Sequence, residues 1–288
     1  MFEKTITSSE KGQKILKYLL RKTDGSKIFL YKLFRKKEII VNGEPVGPYY
    51  IIKENDRITC ERLNEFKLLK KKFNYKIDVI YLDKTLIVVD KESGMPVYGK
   101  ENSLINQVST YLTINNFPGE FIVPVHRLDK ETGGIVIFAL TYQVAKELTE
   151  LFRERKVRKV YQGIVEGIID KKIFVEAEIK RNGRVSVIKE IRTFDRIPLK
   201  EEWISNSKFN SATIVSPVSV KENYTCVEIE IWTGLHHQIR SVLKEINHPL
   251  VNDRKYGERK NQDNLMLLCK RIEIPDLNLC FESRKNLF

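Results

Sequence analysis

Cysteine is scarce and scattered. The four residues, Cys60, Cys226, Cys269 and Cys280, form no CxxC pair, which argues against a zinc knuckle or a disulfide framework and points to a reducing compartment, the cytosol. No apolar run approaches the ~18 residues of a membrane span, and the opening MFEKTITSSEKGQ lacks the apolar core of a secretory signal. Familiar catalytic signatures are missing too. There is no glycine-rich loop ending in GK[ST], no GxGxxG after a strand, no HExxH and no GxSxG elbow. His236 and His237 are neighbours, so on any regular element they point differently and do not easily share one metal. The chemistry is expected to use neither cofactor nor metal.

What is present suits a folded, soluble chain. Its 288 residues are enough for two domains of about 150 each, and 42% hydrophobic against 31% charged is a globular balance. The net charge is +13 and uneven: residues 1–75 carry 18 Lys and Arg against 9 Asp and Glu, while the other 213 residues are nearly balanced. A basic head on a neutral body suggests a polyanion partner held at one end, or simply a lysine-rich proteome.

The head, residues 1–62, reads as a small α/β unit. Ile15, Leu16, Leu19 and Leu20 repeat at helical spacing, and Phe29, Leu30, Leu33 and Phe34 form a second short apolar face. Asn42-Gly43 within EIIVNGEPV is a strong hairpin signal, and IIKENDRITC reads as a closing strand. Residues 63–75 are charged and lack strand pattern; they read as a linker or as a helix packed on either side. From residue 76 to 288 the chain is β-rich. IDVIYLD, LIVVD, GIVIFAL, VYQGIVEG and CVEIEIW are extended runs, and NSLINQVSTYL, YQVAKELTELFRE and HQIRSVLKEIN are amphipathic helices, the first capped by Asn102 or Ser103. The fold class is α+β, with a small α/β head.

The richest segment is PVHRLDKETGGIVIFAL, residues 124–140. A polar cluster (His126, Arg127, Asp129, Lys130, Glu131, Thr132) passes through two glycines into a buried-looking strand. An acid at the mouth of a core strand is desolvated and rigid. Taken alone, Asp129 is a nucleophile, a base, or half of a buried ion pair.

With KVYQGIVEG (159–167), TGLHHQIR (233–240) and HPLVNDRKYG (248–257), this segment resembles the RluA-type pseudouridine synthases. HRLD followed by a T-S-G triplet marks that family's active-site loop. YLDKTLIVVDKESGMPV (81–97) is similar to its opening strand pair, with Lys91, Gly94 and Pro96 on expected positions, and FRKKEIIVNGEPV resembles a ribosomal-protein-S-four-like RNA-binding module. The likeness spans roughly residues 12–60 and 77–275.

The resemblance implies a mainly antiparallel catalytic sheet and a cofactor-free isomerisation. The bond from a uridine's anomeric carbon to N1 breaks, the uracil turns, and it rejoins through C5. Uracil spreads anionic charge over its carbonyls, so one carboxylate suffices where glycosidases use two. By family match that carboxylate is Asp129, acting as nucleophile or base. Arg240 is expected to pair with it and keep it ionised. Tyr161 is expected to stack on the flipped uracil and to assist removal of the C5 proton. Extruding the base costs a few kcal/mol, and His126 and Arg127 are candidates to fill the space it leaves. Arg155 and Lys156 in RERKVRK, and Lys32, Arg35, Lys36 and Lys37 in the head, are candidate RNA contacts.

Three departures touch the motifs: Gly133 replaces a usual serine, Leu235 and His236 stand where arginine and threonine are common, and Asn252 replaces a common glycine. The expected function is therefore pseudouridine formation in RNA, most simply large-subunit ribosomal RNA, by a cytoplasmic monomer. The alternatives are a catalytically silent RNA-binding protein and a synthase acting on transfer RNA.

Overall fold

The computed structural model describes residues 1–23, 27–63, 77–99, 102–115, 117, 121–257 and 264–288. The head contains β1 (Phe2–Thr5), α1 (Ile15–Lys22), α2 (Lys27–Arg35), β2 (Ile40–Val41), β3 (Glu44–Pro45) and β4 (Arg57–Cys60). Its sheet runs β1-β4-β2-β3, antiparallel throughout. The Asn42-Gly43 turn takes positive φ at both residues, +52° and +88°, as a two-residue hairpin requires. Asn42 also ties the turn to β4: its Nδ2 donates to Asp56 Oδ1 and its Oδ1 accepts from Arg57 N, both at 2.8 Å.

Some expectations shift. The closing strand is shorter than IIKENDRITC, covering only Arg57–Cys60, and Leu20 stays exposed while Tyr18 takes the buried place on α1. Leu63, placed in the linker from sequence, is buried among the head's core residues; residues 64–75 of that linker lie outside the described residues.

The body is built from β5 (Asp78–Leu82), β6 (Leu86–Lys91), α3 (Leu104–Ile114), β7 (Val123–Pro124), β8 (Gly133–Ala139), α4 (Tyr142–Arg153), β9 (Arg158–Glu166), β10 (Ile173–Asn182), β11 (Val185–Phe194), α5 (Lys200–Asn206), β12 (Ser211–Lys221), β13 (Tyr224–Ile231), α6 (Gln238–Glu245), β14 (Leu267–Ile274) and β15 (Leu279–Glu282). The strands form one sheet in the order β11-β10-β12-β13-β9-β14-β8-β6-β5, with β7 beside β8 and β15 beside β14. Its pairings are antiparallel except the seam of β14 and β8. Every residue of β6 and β8 is buried, as their apolar runs require of central strands.

Two features of this sheet position the site. At the seam, Leu268 pairs with Gly133 and Cys269 with Gly134. Gly134 has φ +107°, and a Cβ there would sit 2.2 Å from the Cys269 carbonyl oxygen, so only glycine fits. The second is α6, buried from Gln238 to Leu243 against β10, β11 and β12. The Gln238 amide donates to Ala212 O and Thr213 Oγ1, both at 3.0 Å, and accepts from Thr233 Oγ1 and Leu235 N at 2.8 and 3.1 Å. That buried side chain closes the turn before α6. Head and body touch where Arg21 lies over the Phe121 ring at 4.4 Å and Tyr142 N donates to Ser9 O at 3.2 Å.

Candidate active site

The loop from His126 to Thr132 joins β7 to β8 and is held at both ends. At its start, His126 Nε2 accepts from Ile137 N at 3.1 Å, and its ring stacks on Phe152 at 4.9 Å. Burial, helped by the Lys159 charge, pushes this imidazole down to about 3, so it is neutral. This differs from the expected RNA contact: His126 is turned inward and already engaged. At the loop's end, Lys130 O accepts from Lys91 Nζ at 3.1 Å and from Gly94 N at 2.9 Å, and Glu131 O accepts from Ser93 Oγ at 2.6 Å. Lys91 is fully buried; its ammonium also donates to Glu92 O and Met95 O, and burial, then the Lys285 charge, lowers it to about 8.

Between these anchors Asp129 presents its carboxylate to α6. Arg240 Nη1 stands 3.8 Å and His237 Nε2 3.6 Å from Asp129 Oδ2. Arg240 is buried, and Asp129 is not its shortest contact: Asp253 grips it through Nε at 2.8 Å and Nη2 at 2.6 Å, and Glu131 meets Nη1 at 3.3 Å. Asp253 in turn accepts from Lys255 N at 2.9 Å and Tyr256 N at 3.1 Å. Burial works against the arginine's charge, but Asp253, Asp129 and Glu131 more than offset it, and its pKa is raised. Asp129 moves differently from expectation. Its pKa is raised by burial despite Arg240, His236, Arg127 and Lys255, all of which pull it down.

The histidine pair also departs from the sequence reading. His237 sits in the left-handed region (φ +52°) just before α6, and that twist brings the two rings parallel, 3.8 Å apart and inclined by 22°. One side-chain atom from each of Asp129, His236 and His237 lies within 4.8 Å of the others. His237 Nδ1 meets Tyr256 Oη at 2.9 Å, and His236 Nδ1 meets Ser186 Oγ at 3.2 Å.

Tyr161 lies on β9, opposite Cys269 of β14 and Ile229 of β13. It is buried beside its cross-strand neighbour Cys269. Burial first, then Cys269 and the Asp129 charge, hold the phenol well above the usual tyrosine range, so it is protonated. Of the proposed RNA contacts, Arg127, Lys32, Arg35, Lys36 and Lys37 are exposed, and Arg127 acts electrostatically on Asp129. Arg155 and Lys156 have protein partners instead: Arg155 lies 5.4 Å over the Trp203 ring, and Lys156 pairs with Glu154 at 3.1 Å and Asp276 at 3.4 Å. Sequence reasoning placed Asp253 and Tyr256 in a family motif without giving them a role, named Cys269 and His237 only to set disulfide and metal chemistry aside, and did not name Ser186.

A half-buried carboxylate beside a guanidinium thus stands just before a core strand. The surrounding fold is shared with solved proteins: human RNA Pseudouridylate Synthase Domain Containing 1 superposes with a TM-score of 0.59 at 21% identity, covering 76% of this chain and 86% of that one. The sequence profile of the RNA pseudouridylate synthase family matches residues 85–245. The chain belongs to that family, and it is an enzyme that isomerises uridine in RNA to pseudouridine. Its relatives include ribosomal large subunit pseudouridine synthase C of Pasteurella multocida, 28% identical over 98% of this chain and 86% of that protein. They also include tRNA pseudouridine synthase C of Haemophilus ducreyi, 29% identical over 74% of this chain and 88% of that protein.

Proposed function

We propose that the chain acts on uridines of large-subunit ribosomal RNA, that Asp129 is the group at the anomeric carbon, and that the head, residues 1–62, grips the RNA. The reading rests on one observation above all: the Asp129 carboxylate stands 3.8 Å from a guanidinium whose other nitrogens are already committed to Asp253. Such an arginine cannot swing away from the site, so the carboxylate meets a fixed positive charge when the flipped nucleotide enters. Arg240 steadies the anion on Asp129 as it acts, and Tyr161 forms the aromatic wall for the uracil and serves the C5 proton step.

The extent of the relatives supports the ribosomal target. A relative named for the large ribosomal subunit aligns over 98% of this chain, head included, whereas one named for transfer RNA aligns over 74%. The exposed cations Lys32, Arg35, Lys36 and Lys37 on and after α2 supply phosphate contacts, and Arg127, two residues before Asp129, is exposed as well. Among the described residues no helix is long and apolar enough to cross a membrane; we assign the enzyme to the cytoplasm as a monomer.

Chemical mapping of pseudouridine in ribosomal and transfer RNA from a deletion strain, and from that strain carrying Asp129→Asn, tests the reading. Sites missing from large-subunit RNA in both strains and restored by the wild-type gene are expected. Loss confined to transfer RNA overturns the substrate, and restoration by Asp129→Asn overturns the role of Asp129.

A further inference from the structure

We propose that Tyr98 is a stacking platform for the RNA nucleotide next to the flipped uridine. The inference rests on the reading that Asp129 marks where that uridine enters. Tyr98 lies between β6 and α3, in a segment clasped to the loop that carries Asp129. Gly94 N donates to Lys130 O at 2.9 Å, and Ser93 Oγ donates to Glu131 O at 2.6 Å. The buried Lys91 ammonium donates to Glu92 O and Met95 O in the one segment and to Lys130 O in the other. Lys130 directly follows Asp129, so the two segments hold one position relative to each other.

Both neighbours of Tyr98 are fixed. Val97 is buried in the core and its carbonyl accepts from Ile105 N at 3.2 Å, while Gly99 O accepts from Ser103 Oγ at 3.3 Å. Between these anchors Tyr98 is 54% exposed. Among the described residues no ring stacks on it and no side chain bonds its hydroxyl. Tyr81, by contrast, is also exposed but leans on Phe281 with centroids 5.6 Å apart. An outward ring on a pinned backbone does little for the core. It does offer a large contact area with only two side-chain torsions to immobilise.

The chemistry of the surroundings selects the occupant. Extruding a uridine breaks its stacking on both neighbours, and unstacked bases in RNA are held on aromatic side chains. Every base has a π-face, so one ring serves whichever nucleotide stands there. Arg127 and Lys255 are exposed, and both act electrostatically on Asp129. Arg127 also pulls the Tyr98 phenol down against the effect of burial. Ring, cation and carboxylate thus share one neighbourhood, suited to the base, phosphate and sugar of adjoining nucleotides.

The probe is a synthetic RNA fragment containing a uridine that the full chain converts, with 2-aminopurine replacing each adjacent nucleotide in turn. Wild type is expected to quench the fluorophore at one of the two positions. Tyr98→Ala should relieve that quenching and weaken RNA binding by ~5–150-fold, the scale of one lost base stack. Tyr98→Phe and Tyr98→Trp keep a ring and should keep the affinity. A stack releases no counterions, so the slope of log affinity against log salt should be the same in Tyr98→Ala as in wild type. The loss should fall on KM and not on the single-turnover rate at saturating RNA. Undiminished affinity in Tyr98→Ala, equal weakening in Tyr98→Phe, or no quenching at either position would each overturn the proposal. So would a fall in the saturating rate at unchanged affinity, which would put Tyr98 against the uracil itself. Binding and quenching are read without turnover, in the Asp129→Asn chain as well as in wild type. Turnover that survives Asp129→Asn would therefore count against the proposed function, while the platform is still decided by these readings.

Discussion

Arg240 is held by Asp253 through two hydrogen bonds, Nε to Oδ2 at 2.8 Å and Nη2 to Oδ1 at 2.6 Å, with both side chains buried. The fork leaves Nη1 alone to face Asp129 and Glu131. Asp253 therefore sets the aim of the arginine.

Removing Asp253 strands a buried guanidinium. Breaking one partner of a buried pair costs ~3–5 kcal/mol, and Asp253→Ala is expected to lower the urea midpoint by that order. Arg240→Lys keeps the charge but loses the fork, so turnover should fall steeply while the midpoint moves less. Denaturation curves beside single-turnover rates separate the two. An unchanged midpoint in Asp253→Ala would show that the fork carries no stability.

Asp129→Asn is expected to abolish pseudouridine formation, by at least ~10²-fold for loss of a proton-transferring group alone, without unfolding the chain. Burial raises the Asp129 pKa above the ordinary 3.8 against the pull of Arg240, His236, Arg127 and Lys255; His237 also faces it. An acid raised on folding subtracts from stability at neutral pH, and the subtraction vanishes as pH falls below its unfolded value. The asparagine variant should accordingly match or exceed wild-type Tm at neutral pH and converge with it in acid. A clear fall in Tm at neutral pH would contradict the direction of the shift.

The same shift sets an acid limb on turnover. If the ionised Asp129 carboxylate acts as proposed, single-turnover rates should decline on acidification through a pKa above that of a solvated aspartate. A rate that holds level down to that ordinary value would show that Asp129 is not the group being titrated.

Tyr161→Phe retains the ring and deletes the hydroxyl. RNA affinity should be kept while turnover falls by ~10²-fold or more, the scale of a lost acid–base group. Full turnover in the variant would assign the C5 proton to another group and leave Tyr161 as a platform.

In the head, Arg35→Ala and Lys36→Ala should weaken RNA binding without altering turnover at saturation. Each should also reduce the slope of log affinity against log salt by up to about one. A slope unchanged in both would remove α2 from the RNA-binding face.

Much of this molecule is visible in its residues. The runs behind β5, β6, β8, β9 and β13 are apolar or strictly alternating, and the helices α3, α4 and α6 show their faces by spacing. The strands β10, β11, β12 and β14 are harder to see. β11 is largely exposed and carries charge, and β12 contains Pro217 at a register break, so neither shows the usual pattern. Asp129, Tyr161 and Arg240 are legible because motifs mark them. The partnership of Arg240 with Asp253 is not, since it depends on a turn 13 residues away. The stacking of His236 on His237 is invisible for another reason: it follows from a left-handed backbone at a non-glycine residue, which composition does not reveal.

The seam of β8 and β14 has a temporal consequence. Gly134, the second residue of the strand that follows the Asp129 loop, is paired with Cys269. During synthesis the loop emerges long before the strand that braces it, and the wall holding Tyr161 lacks its neighbour until then. The loop that bears Asp129 and the wall that bears Tyr161 thus share one late-arriving brace, β14, set between β8 and β9.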